Sequence, residues 1–186
     1  ATPMTVEEYE HLLARGPLNC RQTLALCWLR AARTADVLAL RAGSLWLRGS
    51  NLAIELGTEK SRQLGLPGFV LIYRPQRERA ILAPLISRAP PTTPPSSRPP
   101  LLDQMTYPMF RNYIVDHRPR GSTATPHSCR KGAIMRMISN GVSLPDIALI
   151  SQHRSTVGLM AYVSAPDHPT ARKMSMASKE IGRAHV

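Results

Sequence analysis

SQHRSTVGLMAYV, residues 151–163, sets Tyr162 nine positions after His153, and the chain before it carries a second basic stretch, HSCR, at 127–130. A tyrosine trailing a row of basic side chains is the pattern of a nucleophile aimed at a phosphate. Alone, a helical tyrosine is more often a half-buried packing residue, so its company decides the reading. His127 and Arg130 lie three positions apart, which on a helix puts them on one face where both can reach one phosphate. H-x-x-R by itself arises often by chance, whereas several such groups in a fixed order carry more weight.

The formal charge is +12, and of 24 basic residues only those at 60, 131, 173 and 179 are lysine. Arginine's planar fork suits bidentate phosphate contacts, so a polyanionic partner is expected, with double-stranded DNA foremost. A GC-rich coding sequence would also favour arginine, and composition does not separate the two. At 186 residues the chain suits one domain with a sizeable core. Cys20, Cys27 and Cys129 are odd in number and form no C-x-x-C pair, which argues against a disulfide framework and against a zinc site. No metal or cofactor is expected, and a reducing intracellular compartment fits. No apolar run approaches membrane-spanning length and residues 1–20 lack a signal-peptide pattern, so a soluble protein is expected.

Thr5-Val6-Glu7-Glu8 is a capping box that starts a helix, ended by Gly16-Pro17. A second helix is expected over 19–32, and Thr34 reads as the N-cap of a third over 35–41. The period then changes to strand in SLWLRG, NLAIEL and GFVLIY, a small antiparallel sheet with Lys60 near the tip of the polar loop between the second and third strands. Residues 80–87 read as a short helix interrupted or begun at Pro84. The stretch RAPPTTPPSSRPP, 88–100, is rich in donor-less proline and is expected to be a disordered or loop insertion inside one domain, an interdomain linker being the alternative. Helices resume in TYPMFRNYIVDH, in HSCRKGAIMRMISNG, in SLPDIALISQH and around Tyr162. The expected fold class is α+β, mostly helical, as a single domain over 1–186.

AARTADVLALR, residues 31–41, adds an arginine before a helix with an acidic residue three positions on, Arg33 and Asp36. In order, Arg33, Lys60, His127, Arg130, His153 and Tyr162 resemble the catalytic domain of the tyrosine recombinase or integrase family, which places an arginine before a helix, a lysine in a β-hairpin, H-x-x-R on a helix, and a histidine followed nine residues later by a tyrosine. The similarity runs from TVEEYEHLL to the helix of Tyr162. The family usually has glycine where Gln152 stands, and often an apolar residue where Cys129 stands. Family members carry an N-terminal helical domain that closes around DNA, and the chain is expected to be the catalytic domain without it.

A phosphodiester repels nucleophiles and has a poor leaving group, so an enzyme that cleaves it without a metal needs cationic clamps and a proton donor. Arg33 and Arg130 suit the two non-bridging oxygens. The resemblance implies that Lys60 protonates the leaving 5′ oxygen, that His127 takes the tyrosine proton while His153 hydrogen-bonds the phosphate, and that Tyr162 forms a covalent 3′-phosphotyrosyl bond, so that rejoining needs no ATP. Asp36 reads as a supporting residue that orients the arginines. The resemblance further implies a tetramer on two DNA duplexes, with residues 167–186 packing on a neighbour, and a place among recombinases of mobile elements, nuclear in a eukaryote or cytoplasmic in a bacterium. A type IB topoisomerase and a catalytically inactive DNA-binding module of the same fold are the alternatives.

Overall fold

A computed structural model describes residues 1–56, 68–153, 155–163 and 181–185. The expected hairpin tip at 57–67, with Lys60, lies outside the described residues. The Thr5 capping box forms as the sequence dictates: Glu8 N–H donates to Thr5 Oγ1 at 3.0 Å and Thr5 N–H to Glu8 Oε2 at 2.8 Å, starting α1, Val6–Leu13. Helix α2, Leu18–Arg30, is buried without interruption from Gln22 to Arg30 and is the axis of the domain. Its burial on every side explains why its apolar residues do not form one clean stripe.

Around α2 pack α1, α3 (Thr34–Leu38), α4 (Gln76–Leu82), α5 (Tyr107–His117) and α6 (Pro126–Ser139). Tyr9 of α1 stacks on Trp28 of α2 with ring centroids 4.2 Å apart, and its hydroxyl donates to Glu78 Oε1 of α4 at 2.8 Å. Burying both rings while satisfying the one phenol proton ties three helices together. Near the chain start, Met4 N–H donates to Ser128 O at 2.9 Å, and the backbone runs so close to α6 that a Cβ on Gly132 would lie 2.1 Å from Met4 O. Only glycine permits that crossing.

Strands β1 (Leu45–Arg48), β2 (Asn51–Glu55) and β3 (Phe69–Ile72) make the expected antiparallel sheet, in register Leu45↔Ile54 and Ile54↔Val70. A fourth strand, β4 (Ile181–His185), joins the edge of β3 within the same chain, giving the order β1-β2-β3-β4. Of the segment expected to pack on a neighbour, residues 167–180 lie outside the described residues.

Two helices differ in their bounds from expectation. Thr34 is inside α3 rather than its cap; Arg33, extended at φ −69° and ψ 148°, is the N-cap, and α3 stops at Leu38 rather than Arg41. Thr34 is buried, so its side chain belongs to the core rather than to the helix end, and the extended backbone of the cap falls on Arg33. Helix α4 starts at Gln76, after Pro75, and ends in a 3-10 turn, Ala83–Leu85, at Pro84.

The proline-rich stretch runs as a loop with one 3-10 turn, Pro95–Ser97. Arg98 pins it: its Nη2 reaches both oxygens of Glu55 on β2, at 2.8 and 3.0 Å, and its Nη1 donates to Ala42 O at 2.8 Å. Ala42 N–H to Pro99 O and Leu101 N–H to Leu40 O close the far end against the segment after α3.

Candidate active site

The site grows from the first turn of α6. Thr125 caps that helix, accepting from Ser128 N–H, and Pro126 occupies the first turn, where its missing N–H costs nothing. The cap directs His127 outward and Arg130, one turn on, inward.

Arg130 is 4% exposed. Its Nη1 donates to Ala31 O after α2 and to Ser151 O after α7 (Leu144–Ile150), both at 3.0 Å. Its Nη2 lies against the His153 ring, 3.1 Å from Nε2 and 3.2 Å from Nδ1. One guanidinium thus joins three elements far apart in sequence. Burial, then the charge of Arg33, lowers its pKa to about 10, which leaves it protonated at neutral pH. Cys129 beside it is fully buried with its thiol pushed well up, so it packs as the apolar residue its position calls for.

Helix α7 is capped by Ser143, whose hydroxyl accepts from Asp146 N–H. At its other end Ser151 Oγ bonds Ile147 O at 2.6 Å and lies 2.5 Å from His153 Nδ1. With its single proton given to Ile147, the hydroxyl accepts from Nδ1–H, which assigns the neutral tautomer whose bare Nε2 faces Arg130. Burial, then the positive charges of Arg130 and Arg33, pushes the His153 pKa down to about 4, in keeping with that neutral ring.

Arg33, exposed at the N-cap of α3, is close enough for its charge to act on Arg130, His153 and His127. Asp36, one turn into α3, partly offsets the cationic cluster by its pull on Arg130 and Arg30. The His127 pKa is lowered by burial first, and then by Lys131, the terminal amine, Arg130 and Arg33, so it is a neutral base at pH 7. Tyr162 sits half-buried on α8 (Met160–Val163), packed against the core; burial raises its phenol pKa, and Arg130 pulls it back.

Of the seven residues selected from the sequence, Arg33, Asp36, Arg130, His153 and Tyr162 gather around Arg130, His127 stands at the rim, and Lys60 lies outside the described residues. Two participants were not selected for the site. Arg30, at the end of α2, is 1% exposed and its Nη2 donates to Gln152 Oε1 at 2.9 Å. A charged residue inside the apolar run LALCWLRAA was the signal for it. Ser151 is recognisable only once its partners are placed. Among the described residues no three His, Cys, Asp or Glu side chains cluster as a metal site would need, and no helix is long and apolar enough to cross a membrane.

No family model and no curated protein matches the sequence. Solved structures do match by shape. A XerH site-specific recombinase bound to its difH substrate before cleavage superposes with a TM-score of 0.62 at 12% identity, over 90% of this chain and 51% of that one. The post-cleavage complex of XerH on a palindromic difH substrate gives a TM-score of 0.60 at 12% identity, over 87% and 49%. The chain therefore spans about half the length of the recombinase structures it matches. With its helical body, its small antiparallel sheet and this correspondence in shape, the chain has the fold of a tyrosine recombinase catalytic domain.

Proposed function

We propose that the chain is the catalytic domain of a site-specific DNA recombinase or integrase that cuts and rejoins strands through a covalent 3′-phosphotyrosyl bond. The observation that carries this reading is the convergence on Arg130 of His153, Arg33 and Tyr162, from separate elements, in a site whose charge is strongly positive. Such a cluster is costly to assemble without an anion to bind.

In the proposed reaction Arg33 and Arg130 hold the two non-bridging oxygens of a phosphodiester. The Tyr162 oxygen attacks phosphorus as its proton passes to His127, whose neutral imidazole is suited to accept it. The bond from phosphorus to the 5′ oxygen breaks, and that oxygen takes a proton from Lys60. Phosphorus is left esterified to Tyr162, and attack by a 5′-hydroxyl reverses each step, so ATP is not consumed. Charge neutralisation that a metal ion provides in other phosphoryl-transfer enzymes falls here to guanidinium groups. An arriving phosphate draws on the Arg130 donors now facing His153 and raises the pKa of that ring, which then donates to the phosphate. Asp36 keeps the arginines oriented.

The assembly we propose is a tetramer on two duplexes, in the service of a mobile element whose recombinase carries the proline-rich stretch. The reading is tested by incubating the chain with nicked duplexes of randomised sequence and resolving the products under denaturing conditions. Wild type is expected to give a covalent protein–DNA band and Tyr162→Phe none; a band unchanged in Tyr162→Phe contradicts the assignment. Relaxation of supercoiled plasmid without exchange between two sites would favour a topoisomerase.

A further inference from the structure

Gln152 has φ +57°, a left-handed backbone that glycine adopts freely and a glutamine adopts only at a cost. Its partner is also in an unfavourable place. The Arg30 guanidinium is buried, and its Nε has no hydrogen-bond partner. Arg98, the buried arginine remote from the site, shares the unpartnered Nε but has its charge met by both oxygens of Glu55, whereas Arg30 donates to the neutral amide of Gln152. Two unfavourable features thus meet in one contact, Arg30 Nη2 to Gln152 Oε1 at 2.9 Å, across 122 positions of sequence.

That contact falls at a sensitive point. Ser151, before Gln152, supplies the carbonyl that accepts from Arg130 and the hydroxyl that bonds His153 Nδ1. His153, after it, is held through its N–H on Ala148 O at 2.8 Å. A glycine at 152 would form this turn without strain but leave it without a side-chain anchor. Gln152 gives up backbone ease and fastens the turn to the end of α2.

We propose that Arg30 and Gln152 are a positioning pair, in which the buried guanidinium tethers the turn at 151–153 so that His153 and the Ser151 carbonyl meet Arg130 in fixed register. This inference rests on the reading of the chain as a strand-cleaving enzyme, in which His153 and Arg130 touch the phosphate while Arg30 and Gln152 act only through them.

Substitution of Gln152 separates tether from turn. Asparagine tolerates a left-handed backbone better than other non-glycine residues and is one methylene too short to reach Arg30. Gln152→Glu keeps an acceptor oxygen at full length. In the full chain, Gln152→Asn is expected to speed amide hydrogen exchange at His153 about tenfold, the size that loss of a charge-assisted hydrogen bond carries, whereas Gln152→Glu leaves it near wild type. With the randomised nicked duplexes, Gln152→Asn is expected to slow covalent adduct formation by about the same factor with DNA affinity unchanged. Exchange at His153 in Gln152→Asn equal to wild type overturns the proposal, as does an unchanged adduct rate where wild type forms adduct. If wild type itself forms no adduct, the exchange measurement alone decides whether the tether holds the turn.

Discussion

His153 keeps its ring neutral because it is half-buried against the Arg130 guanidinium and within reach of the Arg33 charge, and that arrangement has a cost in acid. Its pKa in the folded chain is about 4, against about 6.5 for an unfolded histidine. Above pH 6.5 both states are neutral and folding is unaffected. Between pH 6.5 and 4 the unfolded chain takes up a proton that the folded chain refuses, so stability falls through this window and levels off below it. Thermal unfolding followed across that range is expected to show the decline, and His153→Asn to flatten it in part, the remainder belonging to His127, whose pKa is lowered too. A decline as steep in His153→Asn would contradict the burial of a neutral ring. Arg130→Lys tests geometry at unchanged charge. A lysine has one nitrogen where Arg130 has two, so it cannot hold Ala31 O and Ser151 O from the Nη1 position and reach a phosphate from the Nη2 position, and cleavage is expected to fall by about a hundredfold or more, read as adduct formed per unit time. Most of these side chains were legible in the sequence because their spacing follows helical geometry and their chemistry is specific. Arg30 was not, because its partner lies 122 positions away and only the packing of α2 against the end of α7 brings them together.

Elements were legible where a local signal met no rival. The Thr5 cap accepts the backbone amide that the sequence assigns to it, and Thr106, Thr125 and Ser143 cap their helices in the same way. Thr34 is no cap because its side chain is buried, and that burial depends on which face of α3 meets α2. Strand β4 was missed because IGRAH has no alternation of its own and pairs only where the β3 edge is offered. The proline-rich loop shows the same dependence: its composition lacks core-forming residues, yet one buried ion pair fixes it to β2. Removing one partner of a buried pair leaves an uncompensated charge, so Glu55→Ala is expected to cost about 3–5 kcal/mol in denaturant unfolding. Replacing Glu55 and Arg98 together by leucine and methionine should restore most of the loss. A cost below about 1 kcal/mol for the single change would mean that the strap contributes little.

At the scale of the whole molecule, α2 acts as a buried axis that carries Arg30 and Ala31 to the point where α6, α7 and α8 deliver Arg130, His153 and Tyr162. The fold was readable as a helical body with a small sheet because the periodicities change cleanly from helix to strand and back. The likeness to XerH at 12% identity adds that this plan persists with little sequence in common, as expected where many apolar residues fill a core equally well. The central claim is that Tyr162 carries the covalent bond. Its most direct test is mass spectrometry of the DNA-linked peptide recovered after nuclease and trypsin digestion of the adduct. The account predicts a nucleotide remnant on Tyr162, in the peptide that begins at Ser155 after cleavage at Arg154; a remnant on any other residue would contradict it.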